Sequence, residues 1–160
     1  MTSSKNEKLY EKYAWVLISA IGVLTLVGGA PHAMGINTDP AAVERIVGMT
    51  LNEFKASNPL FFDLYNFYFR FGGLSDMGFG FLVTVLSSTA YRKGERWAWY
   101  TLWFVPAFFL GSSAIALSLG PSSGDLLQFT MLFVILSLLG LLLPIRSFFP
   151  KETHTRASEI

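Results

Sequence analysis

The stretch from Phe61 to Tyr91, FFDLYNFYFRFGGLSDMGFGFLVTVLSSTAY, constrains the fold of this chain more than any other. It is aromatic and apolar along its length, yet it carries Asp63, Arg70 and Asp76. A helix over these residues has a second half suited to cross a bilayer and a first half that rises above the membrane surface. Stepping by four, Gly72, Asp76, Gly80, Thr84 and Ser88 fall on one side, a seam of small and polar residues that admits another transmembrane helix closely. An acid on such a seam is costly unless it meets protein or water, which makes Asp76 the first residue to explain.

Composition supports a membrane setting. Only 14% of the 160 residues are charged and 52% are hydrophobic, whereas soluble chains average about a quarter charged. A formal net charge of +1 gives no field to attract nucleic acid. The absence of cysteine excludes disulfide exchange and thiolate metal sites. With His32 and His154 as its only histidines, the chain is poorly equipped for an all-histidine metal centre or a bis-histidine haem. GGLSDMGFG lies in a membrane helix with no strand before it, so it is not a phosphate cradle, and Gly78-Phe79-Gly80 reads as a bend. No metalloprotease helix or nucleophile elbow occurs. No catalytic residue, metal site or resident cofactor is expected, and an enzyme is the less favoured class.

Taken in order, residues 1–13 form a polar cytoplasmic segment, and 14–146 a membrane domain of four spans. The first span is the apolar run Ala14–Ala30, read as a retained anchor because Pro31 opposes cleavage after Gly28, Gly29 and Ala30. The 31–59 connection is long enough to need its own structure. Asp39 with Pro40, Thr50 with Glu53, and Asn58 with Pro59 are helix-start signals there. They predict two short helices capping the outer end, with Val43, Ile46, Val47, Leu51 and Phe54 facing inward. The third span starts at Trp97, with Trp99, Tyr100 and Trp103 as an interfacial belt. Pro106 is expected to bend it. The short GPSSGD loop makes the fourth span, Leu126 to about Pro144, antiparallel to the third. Residues 147–160 are a polar cytoplasmic tail, mobile from Arg146 onward.

The expected fold class is therefore all-α: a polytopic, antiparallel four-transmembrane-helix bundle with a short helical cap. Lys5, Lys8 and Lys12, then Arg92, Lys93 and Arg96, then Arg146, Lys151 and Arg156 share one side of it. The positive-inside rule puts both termini in the cytoplasm of a cell membrane, the plasma membrane in a prokaryote.

The segments GMTLNEFKASNPLFFDL and YRKGERWAWYTLWFVP, with the glycine-rich helix between them, cover roughly Gly48–Pro106. This pattern resembles the small four-helix membrane proteins of bacteria and archaea, of unknown function or loosely DoxX-like. The resemblance implies a four-helix bundle and carries over no catalytic residue. Some DoxX relatives are linked to quinone-connected sulfur oxidation.

Four residues are candidates for binding a ligand or partner. Asp76 can accept a proton or orient a ligand in a cavity, or else hydrogen-bond to Ser112, Ser113, Gln128 or Thr130 of another helix. Arg70 shares a face with Asp63 and can anchor at head groups or pair with Glu44 or Glu53. Asp76 and Arg70 stand about 120° apart around the helix, so a direct pair would require both to bend. His32 can ligate a metal or haem, or hydrogen-bond at the interface. The rings Phe61, Phe62, Tyr65, Phe67, Tyr68, Phe69 and Phe71 surround the helix and suit lipid, a partner or a flat ligand such as a quinone. Gly72, Gly80, Thr84 and Ser88 are read as helix-packing residues. So are Gly22, Gly28 and Gly29 of the first span and Gly111, Ser112 and Ser113 of the third. The expected contacts are the bilayer and either a membrane-protein partner or copies of the chain.

Overall fold

The computed structural model describes residues 9–37, 40–118 and 124–150. Asp39 and most of the GPSSGD loop lie outside these. The described elements are helices: α1 (Leu9–Ala33), α2 (Pro40–Val47), α3 (Leu51–Ser57), α4 (Pro59–Leu86), a π-helical turn (Ser87–Tyr91), α5 (Arg96–Leu102), α6 (Phe104–Ser118), α7 (Gly124–Leu142) and the short α8 (Ile145–Phe148). Among the described residues, four stretches are long and apolar enough to cross a membrane: Lys12–Ala33, Pro59–Tyr91, Arg96–Ile115 and Leu127–Phe148.

The most extensive pairing is between α1 and α4, and glycines set it. Gly22 lies against Gly80 and Thr84, while Gly29 lies against Gly73, Asp76 and Met77. Rising numbers on one helix meet falling numbers on the other, so these two run antiparallel. The spacing explains which glycines meet. Seven residues rotate an α-helix to within about 20° of two full turns, whereas eight overshoot by about 80°. Counting back seven from Gly80 reaches Gly73, not Gly72. The four-residue seam of the sequence reading therefore drifts off the interface at both ends. Gly72 is exposed with open space where a side chain would go, and Gly73 touches α1 in its place. At the other end Ser87 is fully buried, whereas Ser88 is half-buried and donates to the Thr84 carbonyl at 2.6 Å. Gly28 and Gly111 also face open space and are not packing sites.

Ile18, Ile21, Val83, Leu102, Val105, Val134 and Leu141 form the buried core. Phe79 stacks on Phe108 at 4.2 Å, joining α4 to α6, and Phe109 meets Phe133 at 5.1 Å, joining α6 to α7. The Gly78–Gly80 segment is uninterrupted helix rather than a bend. The third span breaks at Trp103, between α5 and α6. Pro106 accounts for this, since its ring has no N–H for the Leu102 carbonyl and crowds it.

The fourth span ends on another proline. Pro144 cannot donate to the Gly140 carbonyl four residues back. The Tyr91 hydroxyl donates there instead, at 2.5 Å, and the indole N–H of Trp99 donates to the next carbonyl, Leu141, at 2.9 Å. Trp99 is thus a buried structural donor rather than part of an interfacial belt, while Trp97 and Tyr100 are exposed. The π turn that delivers Tyr91 has its own local chemistry. Arg92 N–H reaches back five residues to Ser87, and such widening strands carbonyls at the junction. Hydroxyls take them up: Ser87 and Ser88 donate to Thr84, and Thr89 donates to Val85 at 2.5 Å. The segment after Arg146 is not a loose tail at its start. Phe148 is 4% exposed against Tyr91, and its carbonyl accepts from Arg96 Nε at 3.0 Å.

Candidate functional site

α1 continues through Pro31 and stops at Gly35, whose φ of +82° is the left-handed conformation that glycine adopts without strain. The Gly35 N–H bonds to the His32 carbonyl at 2.8 Å and the Ile36 N–H to Pro31 at 2.9 Å, which is a Schellman ending. The Ala33 carbonyl in that last turn accepts from Arg70 Nε at 3.1 Å. Arg70 therefore clasps the end of α1 instead of pairing with a loop carboxylate. Glu53 is committed elsewhere: its carboxylate accepts from the Thr50 N–H at 2.9 Å and the Thr50 hydroxyl at 2.8 Å, closing the capping box of α3. The Thr50 backbone N–H, and then its hydroxyl, hold the Glu53 carboxyl below its ordinary value. Asn58 occupies the N-cap of α4 but makes no capping bond, since its amide donates to Ser57 Oγ at 3.0 Å.

With Ala33 level with Arg70, the part of α4 from Pro59 to Phe69 extends past the end of α1 by about 16 Å. Two faces of this projection differ sharply. On one, a chain of rings runs from His32 to Phe69 (4.8 Å), Tyr65 (5.7 Å), Phe62 (6.0 Å) and Phe54 of α3 (5.9 Å). Asn37 joins it by donating to the Tyr65 hydroxyl at 3.2 Å. On the other face Leu60, Phe61, Leu64, Phe67 and Tyr68 are uncovered, with Phe61 and Tyr68 each 63% exposed.

Beside the uncovered face lies a groove of about 550 Å³, lined by Ala33, Asp63, Asn66, Phe67, Arg70, Phe71 and Leu74. Asp63, Asn66 and Arg70 follow at spacings of three and four, so one helix face brings an acid, an amide and a guanidinium to the same trough. Its apolar wall comes from Phe67, Phe71 and Leu74. A trough with apolar walls and a few convergent polar groups is the usual form of a small-molecule or peptide site.

Asp76 and His32 do not line this groove. Asp76 is half-buried beside Gly29, where a side chain on that glycine would come within 3.0 Å of its Cβ, and it interacts electrostatically with His32. The expected partners on α6 are otherwise engaged: the Ser112 and Ser113 hydroxyls each donate to their own helix at 2.9 Å. The four candidates therefore separate into two pairs, Asp63 with Arg70 in the groove and His32 with Asp76 at the helix crossing. The rotation of about 120° between positions 70 and 76 is what divides them. Sequence reasoning missed Asn66, Gly73 and the Ala33 carbonyl. Gly73 left a signal in the matched seven-residue spacings of Gly22 with Gly29 and Gly73 with Gly80, and Asn66 in its spacing of three and four from Asp63 and Arg70; the Ala33 carbonyl left none.

Compared with protein families, curated proteins and solved structures, the chain matches none.

Proposed function

We propose that this is a non-enzymatic interaction subunit of a membrane. In this reading it is an antiparallel four-helix bundle, capped on its outer side by the 31–59 connection, and it docks a partner membrane protein on the projecting part of α4. The observation that carries the proposal is the uncovered aromatic face of that projection. Five large apolar side chains there extend past the end of α1, and side chains of this kind anchor protein interfaces. α1 of the same chain lies against Gly73, Gly80 and Thr84 of α4, which favours the projecting face over the small-residue seam as the contact surface. Lys12, Arg92 and Lys93 gather at the opposite end, so the positive-inside rule places that end in the cytoplasm and the aromatic face outside. The resemblance over Gly48–Pro106 adds DoxX-like membership to the proposal.

A second reading rests on the groove. Its volume suits a flat hydrophobic ligand such as a quinone, with Arg70 and Asp63 holding a polar group; Asp76 lies outside it. One experiment separates the two. The full chain is extracted in mild detergent and analysed by native mass spectrometry and absorption, beside the variants F61S/Y68S, which leaves the groove lining intact, and D63N/R70Q. A stoichiometric protein partner lost only in F61S/Y68S supports the interaction reading, and a second copy lost there supports self-association. A bound quinone lost in D63N/R70Q supports the ligand reading. A ligand-free monomer overturns both.

A further inference from the structure

At the end of the molecule opposite the groove, three spans finish around one cavity. Lys12 opens the first span, Tyr91 closes the second and Phe148 closes the fourth. All three residues line a cavity of about 480 Å³, together with Trp15, Arg92 and Lys93. Its depth in a bilayer is therefore that of the lipid head groups.

The cavity has the chemistry of an anion site with a greasy floor. None of its ten lining residues is acidic, and three are cations from two separate helix ends. Trp15, Tyr91 and Phe148 supply the floor, with Tyr91 and Phe148 packed at 4.8 Å. Arg92 is positioned: its guanidinium lies over the Trp15 ring at 4.9 Å, which fixes the plane and leaves its N–H edges for a ligand. The π turn sets the approach of Arg92, since its N–H is bonded to Ser87 at 3.1 Å. Ser147 is not a donor here, because its hydroxyl proton goes to the Pro144 carbonyl at 2.6 Å.

We propose that this cavity binds the phosphodiester head group of an anionic phospholipid, with Lys12, Arg92 and Lys93 on the phosphate and the aromatic floor under the glycerol and upper acyl chain. Basic pockets between transmembrane helices are suited to this use, and each cation near the membrane surface contributes about fivefold in affinity. Free inorganic phosphate offers an anionic phosphate group without the acyl chain.

The test is native mass spectrometry of the full chain titrated with phosphatidylglycerol, phosphatidylcholine or inorganic phosphate. The expected result is a preference for phosphatidylglycerol over phosphatidylcholine that an excess of inorganic phosphate does not abolish. K12Q/R92Q/K93Q should reduce that affinity roughly a hundredfold. The charge-preserving K12R/K93R, which leaves the stacked Arg92 in place, should keep most of it, and K55Q, at the other end, should leave it unchanged. Equal binding of the two lipids overturns the proposal. So does displacement by inorganic phosphate, loss of the preference in the charge-preserving variant, or its survival in the neutralised one.

Discussion

Gly72 and Gly73 are neighbours in the chain with opposite surroundings, so replacing each by alanine makes a controlled pair. Alanine at either position gains the same helix propensity, about 1 kcal/mol. At position 72 the new methyl meets open space, so Gly72→Ala should stabilise the chain by up to that amount. At position 73 the methyl would stand 2.6 Å from the His32 Cβ and 2.7 Å from the Gly29 carbonyl oxygen, with the Ala33 nitrogen also in the way. These are backbone atoms or atoms fixed to backbone, so relief requires α1 and α4 to move apart. Overpacking of this kind costs about 1–3 kcal/mol. Because the propensity gain cancels between the two variants, the same 1–3 kcal/mol should separate their stabilities. Unfolding in mixed micelles, followed by tryptophan fluorescence, measures the difference directly. Equal stabilities, or a more stable Gly73→Ala, would refute the assignment of Gly73 to the helix crossing.

The Tyr91–Pro144 pair makes a second prediction. Tyr91→Phe leaves the Gly140 carbonyl buried and unpaired, costing about 1–3 kcal/mol. In a Pro144→Ala background the new N–H can serve that carbonyl, so the cost should fall by at least half; an unchanged cost in a double-mutant cycle counts against the substitution of hydroxyl for amide. Glu53 gives a pH dependence. Its native value lies below the ordinary 4.5, so its contribution to α3 is fully present above that pH and is lost as pH falls through the lowered native value. Hydrogen-exchange protection of the α3 amides, corrected for intrinsic rates, should drop over that acid range in the parent chain and be flat in Glu53→Gln.

What could be read in advance was whatever is decided locally or by long averages. Thr50 and Glu53 lie within one turn, so their capping box needs no tertiary knowledge. The four spans follow from length and apolarity alone. Phase over two turns is harder, since a step of four residues drifts by about 40° each time, and this sufficed to select Gly72 over Gly73. Trp99 and Tyr91 carry the marks of interfacial anchors, and only the neighbouring α7, ending at Pro144, turns them into internal donors. Arg70 has the same character: its partner is a backbone carbonyl, which no side-chain pattern announces.

The projection of α4 also has a mechanical meaning. From Pro59 through Leu86 it is one unbroken helix, a stiff rod held against α1 below and covered above on one face only, by the ring chain to Phe54 of α3. Arg70 on the Ala33 carbonyl marks the fulcrum. A lateral pull at Phe61 acts on an arm of about 14 Å, and the glycine contacts from Gly73 to Gly80 resist it over a nearly equal length on the other side. Because α4 does not break at the crossing, a displacement of the projection carries the packed part of the same helix with it, without unwinding it.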